Sequence, residues 1–268
     1  MVTTEDIKDY IKKIPPTPEV LNKTVSCVNA GELVKAAKIA EEDLALKSYL
    51  KDLVNKPIYG FRNEVSDLSQ IFGILGINAA KQSLYNYMLS LLSPKEWVLF
   101  KMNKVLFYDF QADLSRRWHD ILIHLKIDDK DIESSITLLP SSIIVCEALF
   151  KNNIENVRLL KGAKDLDYNT ILKRLTKLDL FDISKHIAKT WDMPDRIGEV
   201  VQAASGVKPS NDPTINTLGK WMHLLLFYEL SQPKFIEAGL NDFIEFNVEY
   251  VGDIYEDFMQ LMNVGEKE

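Results

Sequence analysis

The chain contains only two cysteines and four histidines, and both shortages restrict its chemistry. Cys27 and Cys146 lie far apart in apolar, helix-like contexts, which indicates buried free thiols of a reducing compartment. No His-x-x-x-His or Cys-x-x-Cys motif occurs, although a hydrolytic divalent metal needs about three side-chain ligands, usually His and carboxylates at regular spacing. We therefore expect no metal centre and no cofactor.

Glycine and proline are also scarce, with 11 and 10 residues among 268. They cluster between segments in which apolar residues recur every three or four positions, and no long stretch alternates apolar and polar residues. This pattern predicts an all-α fold of about a dozen helices, with a boundary near Pro94.

Long apolar runs and an excess of basic charge are missing too. Runs such as residues 143–150 are much shorter than the ~20 residues of a membrane-spanning helix, and the polar, acidic start at Met1–Asp9 is unlike a signal peptide. The net charge of −7 and the pI near 5.3 argue against a nucleic-acid binder. We expect a cytoplasmic protein with no membrane insertion and no nucleic-acid partner.

The periodicity also predicts several helices of the second half of the chain. Pro140 is expected to kink a long apolar helix, and the hydroxyls of Ser141 and Ser142 could then satisfy the carbonyls that the kink releases. The helices in question are predicted over residues 95–110 with Ser93 as the cap, over 113–126, over 132–150, and over 242–262 as a closing amphipathic helix.

The predicted helix 113–126 contains a pair that resembles catalytic residues, His119–Asp120. Trp118 belongs to an apolar stripe along this helix, and a step of about 100° per residue places His119 at the border of that stripe. Without a further ligand nearby, the simplest interpretation of His119 is a partly buried histidine that is hydrogen-bonded across the core. The stripe consists of Leu114, Trp118, Ile121, Leu122 and Leu125.

Six segments, in order and spacing, match motifs of one protein family. They are Ile14-Pro15-Pro16-Thr17-Pro18 (family Leu-Pro-x-Leu-Pro), 39–46, 55–60, 69–76 (family Ala-Ile-x-x-Leu-Gly), 114–119 (family Trp-x-His) and 184–194 (family Leu-Leu-x-x-Trp-x-Leu-Pro). Together they resemble the HDOD domain, the "HD-related output domain" of bacterial signalling proteins. The resemblance implies an HD-like helical bundle with an N-terminal helical subdomain over 1–93, the HD-like half over 94–205 and a C-terminal extension over 206–268.

HDOD domains in turn resemble HD phosphohydrolases, whose metal site needs a first His, a separate His-Asp doublet and a later Asp. His119 matches the first His, so Asp120 is not part of the doublet. Pro140-Ser141 stands where the enzymes have His-Asp, Ala203-Ala204-Ser205 where a second histidine pair is expected, and Gly219-Lys220-Trp221 around the last Asp. The resemblance therefore implies a hydrolase frame without its metal ligands and without a catalytic residue.

This combination predicts a non-catalytic regulatory module that binds cytoplasmic signalling proteins. The aromatic stripe of the closing helix could serve a homodimer. A second hypothesis is a sensor of nucleotides or other small ligands that uses the vestigial cleft around Trp118, His119 and Ser141. A third is a residual metal-dependent phosphohydrolase.

The turn Tyr59-Gly60-Phe61-Arg62 is the candidate recognition loop. Aromatic residues and arginine are favoured at binding hot spots, which supports that interpretation. The alternative is a glycine turn whose aromatic side chains fill the seam between helices. The sequence leaves both open.

Overall fold

The computed structural model describes residues 2–14, 17–57, 60–164, 166–240 and 243–264. Within these ranges the chain forms helices joined by loops and contains no strand, which confirms the all-α class. The α-helices are α1 Thr4–Lys13, α2 Glu19–Asn29, α3 Leu33–Ala40, α4 Leu44–Val54, α5 Leu68–Leu92, α6 Lys104–His124, α7 Lys130–Ser135, α8 Ser141–Phe150, α9 Ile154–Lys164, α10 Tyr168–Thr176, α11 Leu180–Thr190, α12 Asp195–Ala203, α13 Pro213–Leu230, α14 Pro233–Glu237, α15 Val248–Val251 and α16 Tyr255–Val264.

The chain divides into two compact units. The smaller comprises Pro16–Leu92, and the larger comprises Met1–Pro15 together with Ser93–Glu268. The division into 1–93, 94–205 and 206–268 stays a prediction.

The smaller unit consists of α2 to α5, with α5 in contact with the three other helices. Asp67 begins α5 by accepting the Gln70 amide at 2.8 Å. Gly76 interrupts α5, because it adopts φ 67° and ψ −178° between two helical stretches. These dihedrals lie in a region that is essentially restricted to glycine.

In the larger unit, the helix predicted over 95–110 is wrong in its first half. Helix α6 begins only at Lys104, where Asn103 accepts the amide of Leu106, and it continues unbroken to His124. The preceding residues are non-helical because the buried carboxylate of Glu147 accepts hydrogen bonds from consecutive backbone amides. These are the amides of Val98, Leu99 and Phe100, at 2.7 to 3.2 Å.

Pro140 separates two helices instead of kinking one, so the prediction of a continuous helix over 132–150 is corrected. Helix α7 ends at Ser135, a 3-10 turn covers Ile136–Leu138, and α8 begins at Ser141. The Ser142 hydroxyl donates to the Leu139 carbonyl at 2.7 Å, the role expected of a serine beside the proline.

The single closing helix predicted over 242–262 is also wrong, and Asp242 itself lies outside the described residues. The short α15 and the longer α16 take its place. Asn247 explains the late start of α15: its side chain accepts the Tyr250 amide, while its own amide donates to the imidazole of His223 in α13. The residue therefore caps the helix instead of extending it backwards.

Within the described residues, one segment is long and apolar enough to cross a membrane, namely Lys130–Gly162 with a mean hydropathy of 1.4 in its most apolar window. Of that window, 89% is buried inside the protein. Its central helix, α8, packs against α1 and α11. Its apolar side chains therefore contribute to the core of the larger unit.

Candidate functional site

Trp118 is a core residue of the larger unit. Its side chain is fully buried, and its indole N–H donates to the Ile132 carbonyl at 3.0 Å. This bond links α6 to α7 and satisfies the only polar atom of the side chain. Trp118 thus holds two helices together.

His119 points away from the core. Its side chain is 58% exposed, and Nδ1 lies 3.0 Å from the Glu133 carboxylate on α7. The expectation of a partly buried histidine is wrong, because Trp118 occupies the centre of the buried stripe and the next residue is turned about 100° from it. The imidazole is engaged by a carboxylate at the surface.

Ser141 is fully buried at the start of α8, where the resemblance places a metal-binding Asp. Its hydroxyl donates to Ser184 Oγ at 2.7 Å, and Ser184 donates onward to the Leu180 carbonyl at 2.9 Å. This chain of two hydrogen bonds joins α8 to α11 within the core. Both hydroxyls therefore have structural roles.

The two other segments where the resemblance expects ligands meet in close helix packing at Ala203 and Gly219. Ala203 and Ala204 are buried, and a β-carbon added at Gly219 would lie 2.6 Å from the β-carbon of Ala203. Helices α12 and α13 approach each other too closely for any larger side chain at this position. An aspartate at 219 would not fit.

His223 stands one turn beyond Gly219 and is fully buried. Its Nδ1 lies 2.8 Å from the Ala204 carbonyl, and its Nε2 lies 3.2 Å from the amide N–H of Asn247. Burial lowers the pKa of His223, so the neutral ring donates from Nδ1 and accepts at Nε2. Both ring nitrogens are used for structure.

The described ranges contain no group of three or more His, Cys, Asp or Glu side chains that could hold a metal ion. The structure also does not gather the predicted cleft residues. Trp118 and Ser141 are buried, and His119 faces outwards. None of them lines either of two surface cavities, of about 190 and 470 Å³, that are present in the described part of the larger unit. Ligand binding by these three residues stays a prediction.

The candidate recognition loop lies in the smaller unit, and Tyr59 falls outside the described residues. Gly60 has φ 66°, Phe61 is 45% exposed, and Arg62 is exposed as well. The base of the loop is closed by Asn55, whose side-chain amide makes two hydrogen bonds of 2.8 Å with the backbone of Val65. Phe61 is thus partly exposed to solvent, and the role of the loop in recognition stays a prediction.

Sequence reasoning missed the larger cavity. It lies between α10, the loop after α12 and the segment that leads into α15. Three separate segments form it, and none of them carries a motif. The available signal was an apolar residue beside polar ones in two of these segments, namely Val207 in the loop after α12 and Val248 at the start of α15.

A family model of the HDOD domain matches residues 14–206, which is more than half of the chain. The chain belongs to the HDOD family. No curated protein matches its sequence.

Solved structures agree with this family at the level of the fold. An HDOD domain protein of unknown function from Geobacter sulfurreducens shares 11% identity and a TM-score of 0.63, over 98% of this chain and 96% of that one. A proposed signal transduction protein from Marinobacter aquaeolei VT8 shares 16% identity and a TM-score of 0.66, over 96% of this chain but 58% of that one. A proposed phosphohydrolase from Shewanella amazonensis SB2B shares 13% identity and a TM-score of 0.61, over 94% and 95%.

Proposed function

We propose that this HDOD protein is a non-catalytic signalling module of the cytoplasm that acts by binding other proteins. The proposal rests on what this chain has at the positions where its hydrolase relatives bind their metal. Ser141 is bonded to Ser184 in the core, and Gly219 packs directly on Ala203. The positions that would bind a metal now stabilise the helices.

The one histidine retained at a ligand position does not compensate for these changes. His119 is at the surface and already faces Glu133, and Pro140 supplies no ligand atom. A hydrolytic metal centre needs about three protein ligands around a position that also admits substrate. These residues supply neither the ligands nor the space.

Two further observations support a signalling role. HDOD is a family of bacterial signalling proteins by the resemblance described above, and the Marinobacter protein with a similar fold is described as a proposed signal transduction protein. The net charge of −7 suits protein partners better than nucleic acid.

The recognition loop supplies the test. Phe61 is 45% exposed in that loop, and Leu91 is 46% exposed elsewhere in the same unit, so the two form a matched pair. We expect the tagged protein to retain at least one stoichiometric protein partner from its bacterial host, and Phe61→Ala to weaken retention about tenfold because an aromatic anchor is lost. Leu91→Ala is expected to leave retention unchanged.

Two outcomes would contradict this proposal. One is a protein that remains free of stoichiometric partners across several growth conditions. The other is hydrolysis of phosphate esters by the purified protein with added manganese, at a rate that the same preparation loses on chelation. A screen of nucleotides by thermal shift tests the sensor hypothesis, since bound ligand raises the melting temperature by mass action.

A further inference from the structure

The larger cavity has the architecture of a binding site. Its volume of about 470 Å³ falls within the range of about 300 to 1000 Å³ that is usual for ligand pockets, and it can hold one or two large side chains. Helix α10 forms one wall, and the loop around Val207 and the segment around Val248 form the others. The lining residues are Asn169, Thr170, Lys173, Ser205, Val207, Ile244, Glu245, Phe246, Asn247, Val248 and Glu249.

Two of these walls are held together by hydrogen bonds of Asn247, which is half-buried. The Asn247 side-chain amide donates to the Gly206 carbonyl at 2.6 Å, and the backbone amide of Asn247 donates to His223. The same imidazole holds the Ala204 carbonyl on the opposite loop. A cavity with fixed walls is preorganised, so little conformational entropy is lost when it is occupied.

The mouth of the cavity is apolar. Val207 is 49% exposed and Val248 is 64% exposed, and both line the cavity. Phe246 also lines it and stacks against His223 with ring centroids 5.6 Å apart, which fixes the aromatic ring in place. An apolar centre of this kind fits an apolar anchor from another molecule.

Acidic side chains flank the apolar centre. Glu245 and Glu249 line the cavity and are exposed, and neither makes an ion pair within the part of the chain that the structure describes. Lys173 on α10 supplies one positive charge against these two negative ones. The local charge is therefore negative and has the same sign as the whole chain, which favours a basic ligand.

We propose that this cavity binds a peptide segment of a partner protein, with an aliphatic or aromatic anchor side chain and a lysine or arginine next to it. The inference rests on the proposed function and specifies the chemistry of the partner. The charged residues lie on an open rim around an apolar centre, which is the arrangement of a protein interface with an anchor residue. Three polar lining side chains are already engaged with the backbone, since Asn169 accepts the Leu180 amide, Ser205 accepts the Val207 amide and Asn247 donates to the Gly206 carbonyl. They are therefore not free to orient a small polar ligand.

The direct test uses purified full-length protein and a panel of synthetic peptides. Each peptide carries one Phe or Leu, flanked either by two lysines or by two glutamates in otherwise identical sequences. We expect saturable binding of the lysine peptides, at least about fivefold tighter than that of the glutamate peptides, with amide NMR shifts at residues 205–207 and 244–249. The double substitution Glu245→Lys, Glu249→Lys is expected to reverse this preference.

Val248→Arg fills the mouth with a charged side chain and is expected to abolish binding of the lysine peptides. The matched control is Val105→Arg, because Val105 is 69% exposed on α6 and does not line the cavity. Circular dichroism and thermal melting check that both variants are folded. The proposal is overturned if no peptide of the panel binds saturably or if Val248→Arg binds like Val105→Arg. It is also overturned if the protein sediments as a dimer that Val248→Arg, but not Val105→Arg, dissociates into monomers.

Failure of this inference can be told apart from failure of the proposed function. If the wild-type protein retains a partner and Val248→Arg retains it equally well, the cavity is not the contact, but the protein is still a binding module. If the wild-type protein retains no partner at all, the proposed function itself fails.

Discussion

At the scale of single residues, two buried glutamates have opposite effects on stability. Glu147 is fully buried and is surrounded by hydrogen-bond donors, since three consecutive backbone amides point at its carboxylate. Glu229 is 1% exposed and has one close cation, Arg117, whose Nε lies 2.6 Å from Oε1 without hydrogen-bond geometry. The first carboxylate is well solvated by protein, whereas the second is costly to ionise.

Replacement of Glu147 by glutamine is expected to lower the free energy of unfolding by about 2 to 3 kcal/mol. The substitution removes charge-assisted hydrogen bonds and turns an amide NH2 towards the backbone amides. Glu155→Gln on the exposed surface of α9 is the control, with an expected change under about 0.5 kcal/mol. Urea unfolding of both variants measures the difference, and equal midpoints would show that the carboxylate does not hold residues 98–100.

Glu229 predicts a defined pH dependence. Burial raises the pKa of Glu229 to about 7, although the nearby charge of Arg117 acts to lower it. The folded protein therefore holds a proton that the unfolded chain has released, and stability falls as the pH rises from about 4.5 to about 7. Glu229 contributes at most about 3 kcal/mol to this fall in the free energy of unfolding.

We expect Glu229→Gln to remove this pH-dependent loss of stability. The variant should therefore become more stable relative to the wild type between pH 5 and pH 8. Any loss from leaving Arg117 unpaired is the same at both pH values, so the change with pH is the informative quantity. Glu237→Gln on α14 is exposed and should show no such change. A constant difference between Glu229→Gln and the wild type would mean that Glu229 ionises normally.

At the scale of elements, the glycines of α5 show how a local backbone requirement shapes a helix. Gly73 and Gly76 each have open space where a β-carbon would be added. They differ only in backbone conformation, because Gly73 is helical and Gly76 has φ 67°. A substitution at either position therefore tests conformation without a steric clash.

Gly76→Ala is expected to destabilise the protein by about 1 to 3 kcal/mol, because alanine is strained in this region of φ and ψ. Gly73→Ala is expected to stabilise it by about 0.5 to 1 kcal/mol through helix propensity. Chemical denaturation of the two variants gives both values. Equal effects of the same sign would contradict the break at Gly76.

The elements that could be predicted are those set by local signals. Asp43 and Asp67 mark the beginnings of α4 and α5 through side-chain caps. The failures lie where a distant residue decides the outcome. Glu147 holds residues 98–100 in a non-helical conformation, and His223 engages the Asn247 amide ahead of α15. The hydrophobic periodicity of these two segments gives no indication of such contacts.

At the scale of the whole molecule, the sequence motifs identified the family and the all-α class because HDOD landmarks keep their order and spacing. The two cysteines are free and buried, as predicted. The candidate site was less predictable. The resemblance implies that metal ligands are replaced, and the structure shows what the residues at those positions contact, such as the Ser141–Ser184 hydrogen bond inside the core.

The larger cavity could not be predicted, because three segments far apart in sequence meet there. Each segment is an ordinary loop or helix end when taken alone. Its negative rim forms only because the fold brings Glu245 and Glu249 close to Val207 and Val248. Sites of this kind depend on the tertiary fold rather than on a motif.

The central claim is that the hydrolase frame of this HDOD protein no longer binds a metal, and its metal content is the most direct measurement. Purified protein is incubated with excess manganese or iron(II), passed through a desalting column and analysed by mass spectrometry for bound metal. The account predicts far less than one metal ion per chain, because Ser141, Ala203 and Gly219, which stand at or next to the ligand positions implied by the resemblance, are engaged in helix packing. One or two tightly held ions per chain would contradict it.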